Sequence, residues 1–474
     1  MNFIFFMPDE LRAESVGCYG HPLAPTPNMD ALAAQGTRFD QCHVQHPVCS
    51  PSRCSLMTGW YPHVRGHRTL WHLLRPDEPN LLRYLKQAGY TVHWYGKNDL
   101  LAPGSFADSV DVATNRGKGM FGPNPYPFDD PRYYSFLAEP YTGPLGEHGD
   151  YACVQAGIDF LRSRPKEPFA LYLPLVYPHC PYSAPQPWHD LIDPDELPPL
   201  RPPGLPNRPD FHELIRQTRR LTDVDEAHLR KIQAVYLGMT GFVDDLLGRL
   251  LHTLEETGLA DTTTVFAFSD HGDWAGDYGL VEKWPSAAED VITRVPLIVR
   301  TPGGTAGHVV DEPVELFDIM ATTLELAGIE AQHTHFARSL TPQLRGAAGD
   351  PERAAFTEGG YARHEPHAFE GIPSRDAFIR DERHIYYPKG RLQQTHPDSA
   401  GRTVAIRTAT HRLVYRPTGV CELYDLQADP QERHNHYGEE GYMQVQRELE
   451  TRLLEWYVQT SDVTPFDQDP RGFS

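Results

Sequence analysis

No two of the seven cysteines form a CxxC pair; they stand at 18, 42, 49, 54, 153, 180 and 421. An odd, scattered set in a chain of 474 residues argues against a disulfide framework and reads as reduced thiols. Long hydrophobic runs are also missing. No uncharged stretch approaches the length of a membrane span. The opening MNFIFFMPDE has neither a basic start nor a small-residue cleavage site, and reads as a buried strand rather than a leader. The expected compartment is the cytoplasm. Positive charge is scarce: 64 Asp and Glu against 43 Lys and Arg leave a net charge of −21. Nucleic acid and anionic membranes reward basic surfaces, so neither is an expected partner. Any anion-binding site must be a local basic island. There is no internal repeat and no low-complexity tract.

What is present fits a large α/β protein. Hydrophobic residues at 40% and charged residues at 23% suit a globular chain with a sizeable core. Strand-like and helix-like segments alternate. Phe3–Met7, Thr91–Tyr95, Phe169–Val176, Thr263–Phe268 and Leu297–Val299 read as buried strands. Asn28–Gln35 and Leu81–Ala88 read as helices stopped by Gly36 and Gly89. Ala227–Thr257 reads as a long helix, bent or broken near Gly238 and Gly241. Ala102–Gly149 and Ser183–Pro209, rich in Pro, Gly, Asp and Tyr, read as long ordered loops of the kind that wall an active site. From about residue 375 the pattern changes. Ala405–Arg407, His411–Tyr415 and Glu422–Asp425 predict short antiparallel strands, and Tyr442–Val458 an amphipathic helix. The expected division is a catalytic domain over 1–375 and a smaller C-terminal domain over 376–474. The tail Val463–Ser474 reads either as a contact with a neighbouring subunit of a homo-oligomer or as a free end.

Residues able to do chemistry gather just after the strands. Phe3–Met7 runs into Asp9-Glu10, and Thr91–Tyr95 into Gly96-Lys97-Asn98-Asp99. Phe169–Val176 leads to Pro178-His179, and Thr263–Phe268 to Ser269-Asp270-His271-Gly272. In open α/β sheets ligands bind beyond the carboxyl ends of strands, so these four clusters can share one crevice. Asp9, Glu10, Asp270 and His271 offer donors for a divalent cation; Arg53, Lys97, His179 and Lys283 offer positive charge. Singly, each has a plainer reading as a turn residue or a solvated charge. Cys49 by itself is most simply a small buried hydrophobe, and His43, His46 and Cys49 lack a recognised zinc spacing. Ser50-Pro51 predicts a helix start, with Ser50 as the cap, which turns Cys49 toward free N–H groups.

The run Cys49-Ser50-Pro51-Ser52-Arg53-Cys54-Ser55-Leu56-Met57-Thr58-Gly59 resembles the signature of the type I sulfatases of the alkaline-phosphatase superfamily. Ser269-Asp270-His271-Gly272, His179-x-Pro181 and the late Cys421-Glu-Leu-Tyr-Asp-Leu followed by Asp429-Pro430 and Asn435 occur in the family's order, so the resemblance spans nearly the whole chain. It implies a large, mostly parallel mixed sheet between helices, with a small antiparallel α+β domain. It implies that a formylglycine-generating enzyme oxidises Cys49 to formylglycine, whose hydrate attacks a sulfate ester. A metal ion, calcium by family habit with manganese or magnesium as alternatives, would be held by that residue with Asp9, Asp270 and His271. Glu10 stands where many members have a second ligating aspartate. Arg53 would orient the hydrate, Lys97 and Lys283 would bind sulfate oxygens, and His179 would protonate the leaving alcohol. The family's Gly-Lys-x-His becomes Gly96-Lys97-Asn98-Asp99. The base that breaks down the sulfated intermediate is therefore expected to be Asp99, or else His67, His72 or His93.

The leading expectation is hydrolysis of small-molecule or saccharide sulfate esters. A phosphonate monoester or phosphodiester hydrolase of the same superfamily is the alternative, and an inactive protein that binds sulfated ligands is a remote one. Trp71, Trp94, Trp274 and Trp284 are candidates to line a pocket for an aryl or sugar group.

Overall fold

The computed structural model describes residues 1–114, 117–166, 168–363, 365 and 379–465. In chain order its main elements are β1 (Asn2–Asp9), α1 (Pro27–Gln35), β2 (Thr37–His43), α2 (Cys49–Thr58), α3 (Leu81–Gln87), β3 (Thr91–Tyr95), β4 (Val112–Thr114), α4 (Gly149–Arg162) and β5 (Phe169–Pro178). There follow α5 (Glu226–Glu256), β6 (Thr263–Phe268), β7 (Arg294–Val295), β8 (Leu297–Arg300), β9 (His308–Glu315) and α6 (Asp318–Ala327). The last are β10 (Ala355–Gly359), β11 (Thr403–Arg407), β12 (His411–Tyr415), β13 (Glu422–Asp425) and α7 (Met443–Thr460).

Nine strands form one mixed sheet in the order β4-β3-β5-β1-β6-β8-β2-β7, with β9 paired to β2. From β4 to β6 every pairing is parallel; β8 is antiparallel to both neighbours. Side chains on a strand alternate between faces, and β1 uses both. Phe3, Phe5 and Met7 enter one core with Leu56 and Met57 of α2, Leu82 and Leu85 of α3, and Ile319 and Met320 of α6. Ile4 and Phe6 enter the other with Val154 and Leu161 of α4 and Ile232, Phe242 and Leu246 of α5. A strand apolar on both faces must lie inside a helix–sheet–helix sandwich, as its continuous hydrophobic run implies.

The second sheet is antiparallel, in the order β10-β11-β12-β13. Ile406, Leu413 and Leu423 share a core with Leu449, Leu453 and Trp456 of α7, and this core merges with that of the large sheet. The fold class is therefore as expected. The boundary drawn at 375 falls in residues outside the description, and the small sheet takes its first strand, β10, from before it. Of the tail, residues 466–474 also lie outside the described part.

Three local expectations change. The helix predicted with Ser50 as its cap begins two residues earlier, with Val48 at the cap and Cys49 in the first turn. The stretch 102–149 is not wholly loop: it holds a short helix (Phe106–Ser109), and β4 extends the sheet edge beside β3. The long helix α5 is unbroken over 31 residues. Its glycines allow close approach instead, since a Cβ on Gly238 would lie 2.0 Å from the Trp188 carbonyl oxygen and one on Gly241 2.7 Å from Pro25.

Candidate active site

The parallel register carries the strand ends to one place. β1 bulges between Met7 and Asp9, setting Asp9 beside Pro178 at the end of β5. Asp270 and His271 follow β6, the other neighbour of β1. The first turn of α2 brings Cys49 to the same point. Cys49 Sγ lies 3.4 Å from Asp9 Oδ1 and 3.1 Å from His271 Nε2. One donor atom from each of Asp9, Cys49, Asp270 and His271 falls within a 4.8 Å group, and all four residues are buried.

Arg53, one turn further along α2, sets the orientation of both carboxylates. Its Nε is 2.7 Å from Asp270 Oδ2 and its Nη2 2.9 Å from Asp9 Oδ2, with all three side chains fully buried. Each aspartate thus spends Oδ2 on the guanidinium and leaves Oδ1 on the side of His271. His271 Nδ1 donates to the Gly272 carbonyl at 2.9 Å, which leaves the Nε2 lone pair facing the same point. Two carboxylate oxygens, an imidazole nitrogen and the atom borne by residue 49 are a donor set suited to a divalent cation. Arg53 Nη1 is buried with no hydrogen-bond partner among the described residues, as is Ser50 Oγ. Unmet buried donors are costly, and both suit extra oxygens on residue 49, for which the thiol sulfur here stands in.

Around this centre lies positive charge. Lys97 Nζ is 2.7 Å from Asp9 Oδ2, 2.7 Å from Asp99 Oδ2 and 4.0 Å from Cys49 Sγ. Burial opposes its charge, but Asp9 and Asp99 outweigh burial and hold its pKa well above the ordinary lysine value. Lys283 is raised in the same way, against burial, by Cys49 and Glu10. Burial, with Asp9 adding to it, pushes the Cys49 thiol well above its usual range; an unmodified thiol here would be a poor nucleophile. His179 Nδ1 donates to the Cys180 carbonyl, so Nε2 accepts from Lys283 Nζ at 2.9 Å. Burial and then the two lysines hold the His179 pKa well below its ordinary value. The proton offered along this pair is the one on Lys283.

Glu10 departs from its expected place. It stands outside the four-donor group and joins His179 and Cys180, with Oε1 on Lys283 Nζ. Arg53 grips both carboxylates, and its Nη1 has no hydrogen-bond partner among the described residues.

These residues open into a cavity of about 940 Å3 lined by Cys49, Lys97, Asp99, His179 and Lys283. Its outer wall comes from the segment 65–75, including Arg65, His67, Trp71 and His72. His67 contacts Glu78 at 3.1 Å; although burial opposes its charge, Cys54 and Glu78 raise its pKa to about 10. His93 lies elsewhere, against Tyr95 and Phe160. Among the four tryptophans Trp71 lines the cavity, while Trp94, Trp274 and Trp284 are core residues. Sequence reasoning missed Glu282, Tyr386 and Lys389. Lys389 Nζ meets Glu282 Oε1 at 2.7 Å from a segment with no motif to flag it. Among the described residues a separate donor group, His434, His436 and Glu439, lies on the C-terminal domain.

A mostly parallel sheet whose strand ends converge on such a centre, ringed by lysines, defines an alkaline-phosphatase-like fold. The family model "Sulfatase" matches residues 1–329, and "N-sulphoglucosamine sulphohydrolase, C-terminal" matches 374–459. The chain belongs to the sulfatase family, whose characteristic reaction is hydrolysis of sulfuric esters. It is 27% identical over 491 residues to the uncharacterized sulfatase YidJ of Escherichia coli, covering 97% of this chain and 88% of that protein. It is 27% identical over 529 residues to the multifunctional alkaline phosphatase superfamily protein PehA of Trinickia caryophylli, covering 99% and 96%. The solved phosphonate monoester hydrolase of Silicibacter pomeroyi shares the fold, with a TM-score of 0.78 at 24% identity over 97% of this chain and 95% of that one.

Proposed function

We propose that this protein hydrolyses sulfate monoesters, releasing inorganic sulfate and an alcohol or phenol, after Cys49 has been converted to formylglycine. The observation that carries the reading is the position of Cys49. Its side chain touches Asp9 Oδ1 and His271 Nε2 on one side and opens to a cation-lined cavity on the other. The formylglycine hydrate and a divalent ion, calcium by family habit, would supply an acidified oxygen nucleophile and charge stabilisation. Asp9, Asp270, His271 and residue 49 would hold the ion.

The remaining work falls to this chain's own side chains. Arg53 keeps both aspartates aimed inward and offers Nη1 to residue 49. Lys97 and Lys283 are placed to bind the peripheral oxygens and offset charge that grows there. The Lys283 ammonium, which donates to His179 Nε2, would give the proton to the leaving oxygen, with His179 orienting it. Asp99, beside Lys97, takes the family histidine's part as the base that completes turnover.

A second reading, hydrolysis of phosphonate monoesters or phosphate diesters, is suggested by solved structural neighbours named as phosphonate monoester hydrolases. Two measurements separate the possibilities. Mass spectrometry of the peptide spanning Cys49 is expected to find the aldehyde; a free thiol in fully active enzyme would sink the mechanism. Comparison of kcat/KM on aryl sulfate, phosphonate monoester and phosphate diester is expected to favour the sulfate, and a clear preference for the phosphonate would transfer the assignment. No turnover on any of them, by metal-loaded aldehyde-bearing protein, would indicate a binding protein.

A further inference from the structure

Glu10 follows an expected metal ligand, yet its backbone sends the side chain elsewhere. Its φ of +67° lies in the left-handed region that non-glycine residues enter only when held there. Tyr236 Oη donates to its carbonyl oxygen at 2.5 Å, and its N–H reaches Asp270 Oδ1 at 3.3 Å. The fully buried carboxylate meets Lys283 Nζ and lies 3.3 Å from His179 Nε2. Lys283 faces the cavity beside Cys49. The other cavity lysine, Lys97, is matched in the same manner by Asp99 at 2.7 Å. Glu282, next to Lys283, is occupied by Arg219 and Lys389 at 2.6 and 2.7 Å.

Each lysine beside the reacting centre therefore carries its own carboxylate. Arg53, Lys97 and Lys283 face Asp9, Asp270, Asp99 and Glu10. With a divalent ion and a neutral hydrate at residue 49, this set would carry one net positive charge, in which the Glu10 carboxylate cancels the Lys283 ammonium. In a dry site an uncompensated charge is strongly disfavoured. We propose that Glu10 is a specificity determinant. By pairing Lys283, it matches the site to esters whose acid centre carries a single negative charge and excludes dianionic phosphate monoesters. The inference rests on this cavity being an anionic-ester site, but not on the ester being a sulfate, because phosphonate monoesters and phosphate diesters are also monoanions.

The test is Glu10→Gln in the full-length, metal-loaded protein, with kcat/KM measured at pH 8 on p-nitrophenyl sulfate, a p-nitrophenyl phosphonate and p-nitrophenyl phosphate. Bound metal per chain is expected to equal that of the wild type. The ratio of phosphate monoester to monoanionic ester turnover is expected to rise at least tenfold. An unchanged ratio overturns the proposal, and so does loss of the metal, which would make Glu10 a ligand. If Glu10→Gln does not fold, Asp99→Asn removes the matching charge at Lys97. Competitive inhibition by phenyl phosphate relative to phenyl sulfate must then tighten at least tenfold, or the proposal falls. A wild type that prefers the phosphonate overturns the sulfate reading and leaves this one standing; a wild type that prefers the phosphate monoester overturns this one.

Discussion

Arg53 Nε lies 2.7 Å from Asp270 Oδ2, both side chains wholly shielded from solvent, and the same guanidinium reaches Asp9 at 2.9 Å. One planar fork thereby fixes two carboxylates from different strands, which a flexible ammonium does not do. Arg53→Lys keeps the charge and loses the fork. Residues that orient ligands cost about 10–100-fold in metal affinity when changed. That loss is expected in metal titrations of Arg53→Lys, with activity partly restored by excess metal. Equal affinity in the variant and the wild type would mean that the aspartates are held by something else.

Metal removal tests the donor group directly. Chelation is expected to abolish turnover and lower thermal stability. A ligand bound only by the folded state at 100 times its Kd adds about 2.7 kcal/mol. Asp270→Asn and His271→Ala are each expected to remove most of that gain in calorimetric scans with and without calcium or manganese. A Tm indifferent to metal in the wild type would refute the assignment.

The site was legible where chemistry is encoded locally. Asp9, Asp270 and His271 each sit just past a buried apolar run, so the strand pattern alone placed them in one crevice. Cys49 and Arg53 are one helical turn apart, a spacing that survives a two-residue error in the helix start. Glu10 was misplaced because residue spacing along a strand carries no information about a left-handed φ. Lys389 and Glu282 meet across 107 residues, which no local pattern reveals. Three tryptophans near motifs went to the core, where large rings contribute most by burial.

Gly238 was misread for a related reason, and it makes a clean test of packing. In a helix interior Gly→Ala ordinarily stabilises by about 1 kcal/mol. Here the new methyl would stand 2.0 Å from the Trp188 carbonyl oxygen, a backbone atom that cannot swing aside. Overpacking of that kind costs about 1–3 kcal/mol, and more for a backbone clash. Gly238→Ala is expected to lose about 2 kcal/mol net in urea unfolding, and a gain would show that the helix is free to shift.

His148 makes stability depend on pH. It is buried against Tyr141, Tyr177 and Phe242, with ring centroids 5.2, 4.7 and 4.8 Å away. Burial lowers its pKa from 6.5 to about 4. Between those values the unfolded chain takes up a proton that the folded chain refuses. Its contribution is therefore complete above about pH 6.5 and is lost as pH falls toward 4, at up to about 1.4 kcal/mol per pH unit. His43 and His46, both lowered to about 3 by burial, add to the same trend. His148→Phe keeps the ring contacts and removes the proton site. Relative to the wild type, the variant is expected to gain about 2 kcal/mol on going from pH 7.5 to pH 5, measured by urea unfolding at both. If the difference between variant and wild type is the same at the two pH values, the His148 ring is reached by a proton in the folded state, and the acid sensitivity must come from other groups.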